Sequence, residues 1–159
     1  MSAKNNKGLK KSTVAENRRA RFDYFLESQI ECGIALVGSE VKALRSGKVS
    51  ISESYATVES SELWLINSYF PSYEKTGIFG HEERRNRKLL VKKRELSRLW
   101  YRLSRDGMTL VPLKIFFSEK GLAKVLIGIA KGKKLADKRE VQKKRDWNKQ
   151  RARLLRERG

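Results

Sequence analysis

Among its 159 residues the chain has one cysteine, one histidine and two prolines. Cys32 has no partner for an internal disulfide, and Cys32 with His81 falls short of the four ligands of a structural zinc site. No apolar run reaches the ~18 residues that span a bilayer, and Met1–Lys11 lacks the apolar stretch of a secretory signal. A cytosolic protein with no membrane partner is therefore expected. Acids are scarce as well: 18 Asp and Glu stand against 37 Lys and Arg, a net charge of +19. That surplus favours polyanionic partners, nucleic acid before an anionic membrane.

The frame of a nucleotide-binding phosphate loop is also missing, since Gly132–Lys134 reads GKK and forms only a basic turn. His81 stands beside Glu82 and Glu83 with neither a nucleophile nor a set of metal ligands around it, so it reads as a solvated loop histidine. No catalytic residue, cofactor or metal is expected. A small RNA-processing enzyme would need acids, histidines or ligands that this sequence does not cluster.

The charge that is present is unevenly spread. Residues 1–21 hold seven Lys or Arg and one acid, and residues 131–159 hold thirteen and four, which leaves residues 22–130 at only +4. A nearly balanced domain flanked by two basic ends suits a grip on an RNA or DNA backbone; two solvated tails without a fixed partner are the plainer alternative.

Within the middle, Tyr24, Leu26, Ser28, Ile30, Cys32, Ile34 and Leu36 alternate with Asp23, Glu27, Gln29 and Glu31. This period of two predicts a long strand or a tight strand pair with one face inside. Cys32 then faces the core as a small apolar residue, and Glu31 faces out. In GSEVKALRSGK, Ser39 is placed as N-cap, Glu40 lies in the first turn, and Gly47 ends a short helix. ISESYATVES and ELWLIN predict two strands across a serine-rich turn, and PSYEKTGIFGHEERRNR a long loop. Leu96, Leu99, Trp100 and Leu103 have the spacing of an amphipathic helix covering a core, with Trp100 as packing. TLVPLKIFFSEKGLAKVLIGIAKG reads as a hairpin turning at Ser118–Gly121, with Val125, Ile127 and Ile129 on one face and Lys124 on the other.

About six antiparallel strands with two or three short helices predict a mainly β protein built on a small closed or nearly closed barrel, an architecture that can bind oligonucleotides on an outer face and through its loops. The expected division is a flexible basic N-terminus over 1–16, an RNA-binding barrel over 17–131 and a basic tail over 132–159. At the barrel's start Arg18, Arg19 and Arg21 precede the aromatic Tyr24, a combination for phosphates beside stacked bases, and Glu31 is a candidate acceptor for base amino groups or else an ordinary surface residue. If the tail becomes helical, Lys138, Arg145, Lys149, Arg153 and Arg156 draw one basic stripe, with Trp147 on another face. It has too few apolar residues and too much self-repulsion to order alone, so disorder in the free chain and a helix on a polyanion are expected.

NRRARFDYF, ECGIALVGSEVKALRSGKVSISESYA, RKLLVKKREL, TLVPLKIFF and AKGKKLADKRE with the following DW together resemble SmpB, the bacterial family that binds transfer-messenger RNA (tmRNA, SsrA). The resemblance runs from about Asn17 to Trp147. It implies a barrel similar to an oligonucleotide-binding (OB) fold and a non-catalytic adaptor in trans-translation, the rescue of stalled ribosomes, whose barrel holds the tRNA-like domain of the RNA and whose tail enters the empty message channel and decoding region. Alanyl-tRNA synthetase and elongation factor Tu would act indirectly, through the RNA, and a monomer suffices. By position the resemblance assigns Asn17 and Glu31 to the RNA contact. It extends the basic RNA-facing surface to Lys92, Lys124 and Lys131, Gly132, Lys133 and Lys134. Asp137, Lys138, Arg139 and Trp147, continued by Arg145, Lys149 and Arg153, fall to the decoding region. Phe22, Cys32 and Ala136 depart from the common family residues, and Ala136 removes a ring, leaving Trp147 to stack. A ribosomal protein of similar size and charge is the rival; it would co-purify with every subunit.

Overall fold

The computed structural model describes residues 12–72, 80–133 and 135–157. In chain order the elements are β1 (Ser12–Glu16), α1 (Ala20–Asp23), β2 (Tyr24–Ile34), α2 (Gly38–Ser46), β3 (Tyr55–Glu59), β4 (Glu62–Ile66), β5 (Arg87–Leu90), α3 (Lys93–Arg105), β6 (Thr109–Phe117), β7 (Ala123–Gly132) and α4 (Leu135–Glu157). Every strand pairing is antiparallel. Six strands form a ring, β6-β3-β4-β5-β2-β7, which the β6–β7 pairing closes. Closure leaves the ring without a free edge. The seventh strand, β1, lies outside it along β6, from Ser12 opposite Phe117 to Glu16 opposite Lys114. The expected six-stranded barrel is thus present, and part of the arm assigned to a flexible N-terminus is an added strand.

Inside the ring pack Cys32, Ile34, Ile51, Leu63, Leu65, Leu89, Leu110, Ile115, Val125 and Ile127, while α2 supplies Ala43 and Leu44 and α3 supplies Leu99. A second, smaller cluster of Ala20, Val111, Leu113 and Ala130 gathers Tyr24, Leu26 and Leu126. Bulges explain the two clusters. Between Leu26 and Ser28 the β2–β7 register shifts by one, with Glu27 as the extra residue, and β6 shifts likewise between Pro112 and Lys114. Each insertion inverts the alternation. Ile30, Cys32 and Ile34 therefore serve the barrel core while Tyr24 and Leu26 serve the cluster beneath α1, a correction to the uniform inward face expected from Tyr24 to Leu36. Gly128 is needed where the second cluster closes on β7, because a Cβ there would sit 3.0 Å from Leu26 Cδ2 and 3.2 Å from Leu113 Cδ1.

The β3–β4 hairpin turns on Ser60 and Ser61, both in the left-handed region at φ 49° and 60°, as a two-residue turn between twisted strands requires. Gly47 ends α2 at φ 75°, as expected, but its N-cap is Val37. The Val37 N–H donates to Glu40 Oε1 at 3.0 Å, and Ser39, expected to cap, instead bonds His81. α3 buries only Leu99 fully; Trp100, expected to pack, is 56% exposed. The tail, expected to order only on a polyanion, is one helix over Leu135–Glu157, in keeping with its many strong helix formers. No described helix is long and apolar enough to cross a membrane.

Candidate nucleic-acid interface

A buried polar knot fixes the frame. Glu40 and Arg87 are both fully buried and joined through Arg87 Nε and Glu40 Oε2, and Arg85 reaches Glu40 Oε1. The other Arg87 donors go to the carbonyls of Ser68 (3.1 Å), Arg85 (2.8 Å), Glu82 (3.3 Å) and Glu83 (3.2 Å), and its guanidinium lies 4.0 Å from the Phe70 ring centre. Burial pushes the Glu40 pKa up, but the bonds from Arg85 and Val37 and the charge of Arg87 outweigh it, so the carboxyl sits below its ordinary value. His81 is half-buried, bonded at 2.8 Å to both Ser39 Oγ and the Phe70 carbonyl. It is a structural bridge, not the solvated loop residue expected, and the 80–86 segment is strapped to α2.

On the outer face of β2 and β7, Glu31 is exposed and Lys124 half-buried. Glu31 lies opposite Leu126 and Lys124 opposite Gly33, so carboxylate and ammonium are diagonal neighbours on one face. Gly33 also pairs with Leu90, whose Cβ would be 3.2 Å from a Cβ at that glycine, and Lys92 stands exposed two residues further on as the cap of α3. Beneath this face burial, with Glu95 and Glu31, pushes the Cys32 thiol up to about 12 against the pull of Lys124. The thiol stays protonated and inert, the core role expected of it.

The other end of β2 gathers the cations. Arg18, Arg19 and Arg21 are exposed around α1. The guanidiniums of Arg19 and Arg145 lie 5.8 and 5.7 Å from the centre of the Phe22 ring. Tyr24 and Phe25 pair with Gly132 and Lys131. Lys133 donates from its backbone to the Asp23 carbonyl (2.9 Å) and from Nζ to the Arg21 carbonyl (3.0 Å), with Nζ 4.9 Å from the half-exposed Phe25 ring. Lys138 Nζ meets Asp23 Oδ1 at 3.2 Å. The arginine group, the Lys131–Lys133 turn and the first turns of α4 therefore form one basic, aromatic end.

Asn17 is placed differently from its expected RNA-contacting role. It is 9% exposed, and its Nδ2 donates to the Pro112 carbonyl at 3.3 Å while its backbone N–H donates to the Leu113 carbonyl at 2.8 Å. Its amide holds α1 to β6. Lys134 and the side chain of Asp137 lie outside the described residues. Along α4, Arg139, Arg145, Lys149 and Arg153 are exposed, and Trp147 is 63% exposed. Sequence reasoning missed Phe25, whose place among the aromatics that follow the arginines of NRRARFDYF was the available signal, and the Glu40–Arg87 pair, for which a lone Glu and Arg give none.

A family profile described as SmpB protein matches residues 14–157. The SsrA-binding protein of Paracoccus denitrificans is 62% identical over 144 residues, covering 91% of this chain and 92% of that protein. That of Ruegeria pomeroyi is 62% identical over 144 residues, with 91% of each covered. A solved structure described as "tmRNA-SmpB: a journey to the center of the bacterial ribosome" superposes with a TM-score of 0.63 at 53% identity, over 76% of this chain and 84% of that one.

Proposed function

The chain belongs to the SmpB family, and we infer from this that it is an SsrA-binding protein, which holds tmRNA and acts with it on the bacterial ribosome in trans-translation. It serves as a non-catalytic adaptor in the cytoplasm, without cofactor or metal. The barrel takes the tRNA-like domain: Glu31 reads base amino groups, Lys124 and Lys92 sit beside it, and Arg18, Arg19, Arg21 and Lys131–Lys133 hold backbone phosphates. Helix α4 enters the message channel and decoding region, with Lys138, Arg139, Arg145, Lys149 and Arg153 on phosphates and Trp147 for stacking. The observation that carries this reading is the outward carboxylate of Glu31 on a barrel that also carries a basic, aromatic end from which α4 departs.

The test is binding to a transcript of the tRNA-like domain, with ordinary tRNA as competitor, at about 0.15 M salt, where non-specific binding reaches only ~10⁻⁴ to 10⁻⁶ M. Tight binding that tRNA does not displace is expected. Glu31→Ala should weaken it at unchanged thermal stability. Asn17→Ala should act the other way, costing about 1 kcal/mol of stability through its lost carbonyl bond with little direct effect on affinity. Binding that any RNA displaces would leave a generic basic barrel.

A further inference from the structure

Helix α3 has a face that neither the core nor the proposed RNA contacts use. Lys92–Asp106 holds six cations and two acids, a surplus of +4 that equals the whole surplus of residues 22–130. The rest of residues 22–130 is balanced, so the barrel's excess charge apart from Arg18, Arg19, Arg21 and Lys131 belongs to this one helix and its cap. Arg94, Arg98, Tyr101 and Arg105 follow at spacings of 4, 3 and 4, which sets them in one exposed row. Tyr101 is 52% exposed, and Trp100, about 100° around the helix from it, 56%. Two large aromatics bared at mid-helix are not explained by packing.

The arginines divide by what they touch. Arg102 is committed to the fold, paired with Glu27 at the β2 bulge and with Asp106 at 3.2 Å. Arg105 donates to Tyr101 Oη at 2.8 Å, with its guanidinium 5.1 Å from that ring, which holds the ring in place. Arg94 and Arg98 make no ion pair with a described carboxylate. Between α3 and β2 runs an open groove with Arg98 and Tyr101 on one wall and Ser28 and Gln29 on the other. Cations for phosphates, the Tyr101 ring for stacking and short polar side chains for base edges thus share one face, whereas Trp100 lies on the other flank of the helix beside Ser60 and Ser61.

We propose that the outer face of α3 is a second RNA-binding surface, with Arg94 and Arg98 on backbone phosphates, Tyr101 as the stacking platform, and the Ser28–Gln29 wall beside a splayed base. This rests on the reading that the partners are RNA, and it adds a contact separate from Glu31 and from the tail.

The full-length protein is titrated, over a range of salt, with the tRNA-like transcript and with small ribosomal subunits free of message. The variants are Arg94→Ala with Arg98→Ala, Tyr101→Ala, and Lys42→Ala with Lys48→Ala as a charge-matched reference on exposed positions in and just after α2. In at least one titration the arginine pair should lower the slope of log affinity against log salt by about one to two units, because two phosphate contacts are lost. Tyr101→Ala should weaken that same titration roughly five- to a hundred-fold, with an unchanged melting temperature. The lysine pair should leave both as they were. If the wild type binds tightly while the arginine pair changes neither titration, or changes them no more than the lysine pair, the α3 surface is overturned and the Glu31 reading stands. If the wild type binds neither RNA above an unrelated transcript, the proposed function and the α3 surface fall together.

Discussion

Glu40 shows how much of this barrel depends on one buried charge. Taking a carboxylate and a guanidinium out of water is costly, and the cost is recovered only where every remaining donor finds an acceptor. Arg87 meets that condition through backbone carbonyls on both sides of the β4–β5 connection, so the pair stitches α2 to that connection instead of merely neutralising itself. Removing Glu40 would leave Arg87 buried without its counter-ion, and Glu40→Ala should cost about 3–5 kcal/mol in denaturant unfolding. The pair also sets an acid limit. The folded Glu40 carboxyl lies below its ordinary value, while the unfolded chain titrates near ~4.3. Its contribution is therefore fully present above the unfolded value and is lost as pH falls through the folded one. Urea midpoints should drop between pH 6 and pH 3 in the wild type and drop less in Glu40→Gln, which starts lower. Equal slopes in the two would mean that other carboxylates carry the acid sensitivity.

Elements built by pairing and elements built by local sequence differ in stability, and they differed in how readable they were. Residues 30–34 alternate and are paired as their sequence implies, yet Tyr24 and Leu26 face the opposite way, because the Glu27 bulge arises from the match with β7, a hundred residues on, and leaves no local mark. β1 leaves no local mark for the same reason: five residues at the end of a basic arm become a strand only against β6. The α3 period identified a helix correctly but could not say how wide a strip the barrel end accepts; it accepts Leu99 fully and leaves Trp100 in solvent. Asn17 and Arg87 look like surface residues in sequence and are buried because distant carbonyls satisfy them. Helix α4 lies at the other extreme. It is legible from composition, and its described side chains beyond Arg139 are all exposed, so little besides the Lys138–Asp23 pair and Arg145 at Phe22 holds it. Isolated helices are marginal in water even when their residues favour them. Amide exchange should therefore be fast along α4 and slow in β2 and β7 of the free protein, with α4 gaining protection on vacant small subunits. Equal protection of α4 and β7 in the free chain would contradict a tail that orders on its target.

At the scale of the molecule, the barrel and the tail meet at Lys133, and that junction decides where they can be separated. A cut after Lys131 would also remove Lys133, which bonds the carbonyls of Asp23 and Arg21 and covers Phe25, and so would damage the arginine end of the barrel. A cut after Lys133 spares those contacts and leaves a chain of net charge +12. Most of its long-range attraction for RNA would remain, and all the barrel positions assigned to the tRNA-like domain would be intact except Lys134. Chains ending at Lys133 should bind the tRNA-like transcript within about fivefold of the full protein at ~0.15 M salt, with a shallower salt dependence. On stalled ribosomes the same chains should fail to support peptide tagging, since nothing would reach into the message channel; a 23-residue helix extends about 34 Å. The two measurements separate two architectures. Lost tagging with retained binding places the tail's work on the ribosome. If binding and tagging decline in proportion, the tail belongs to the grip on the tRNA-like domain, and the cations at Arg19, Arg145 and Lys138 act as one site and not as two.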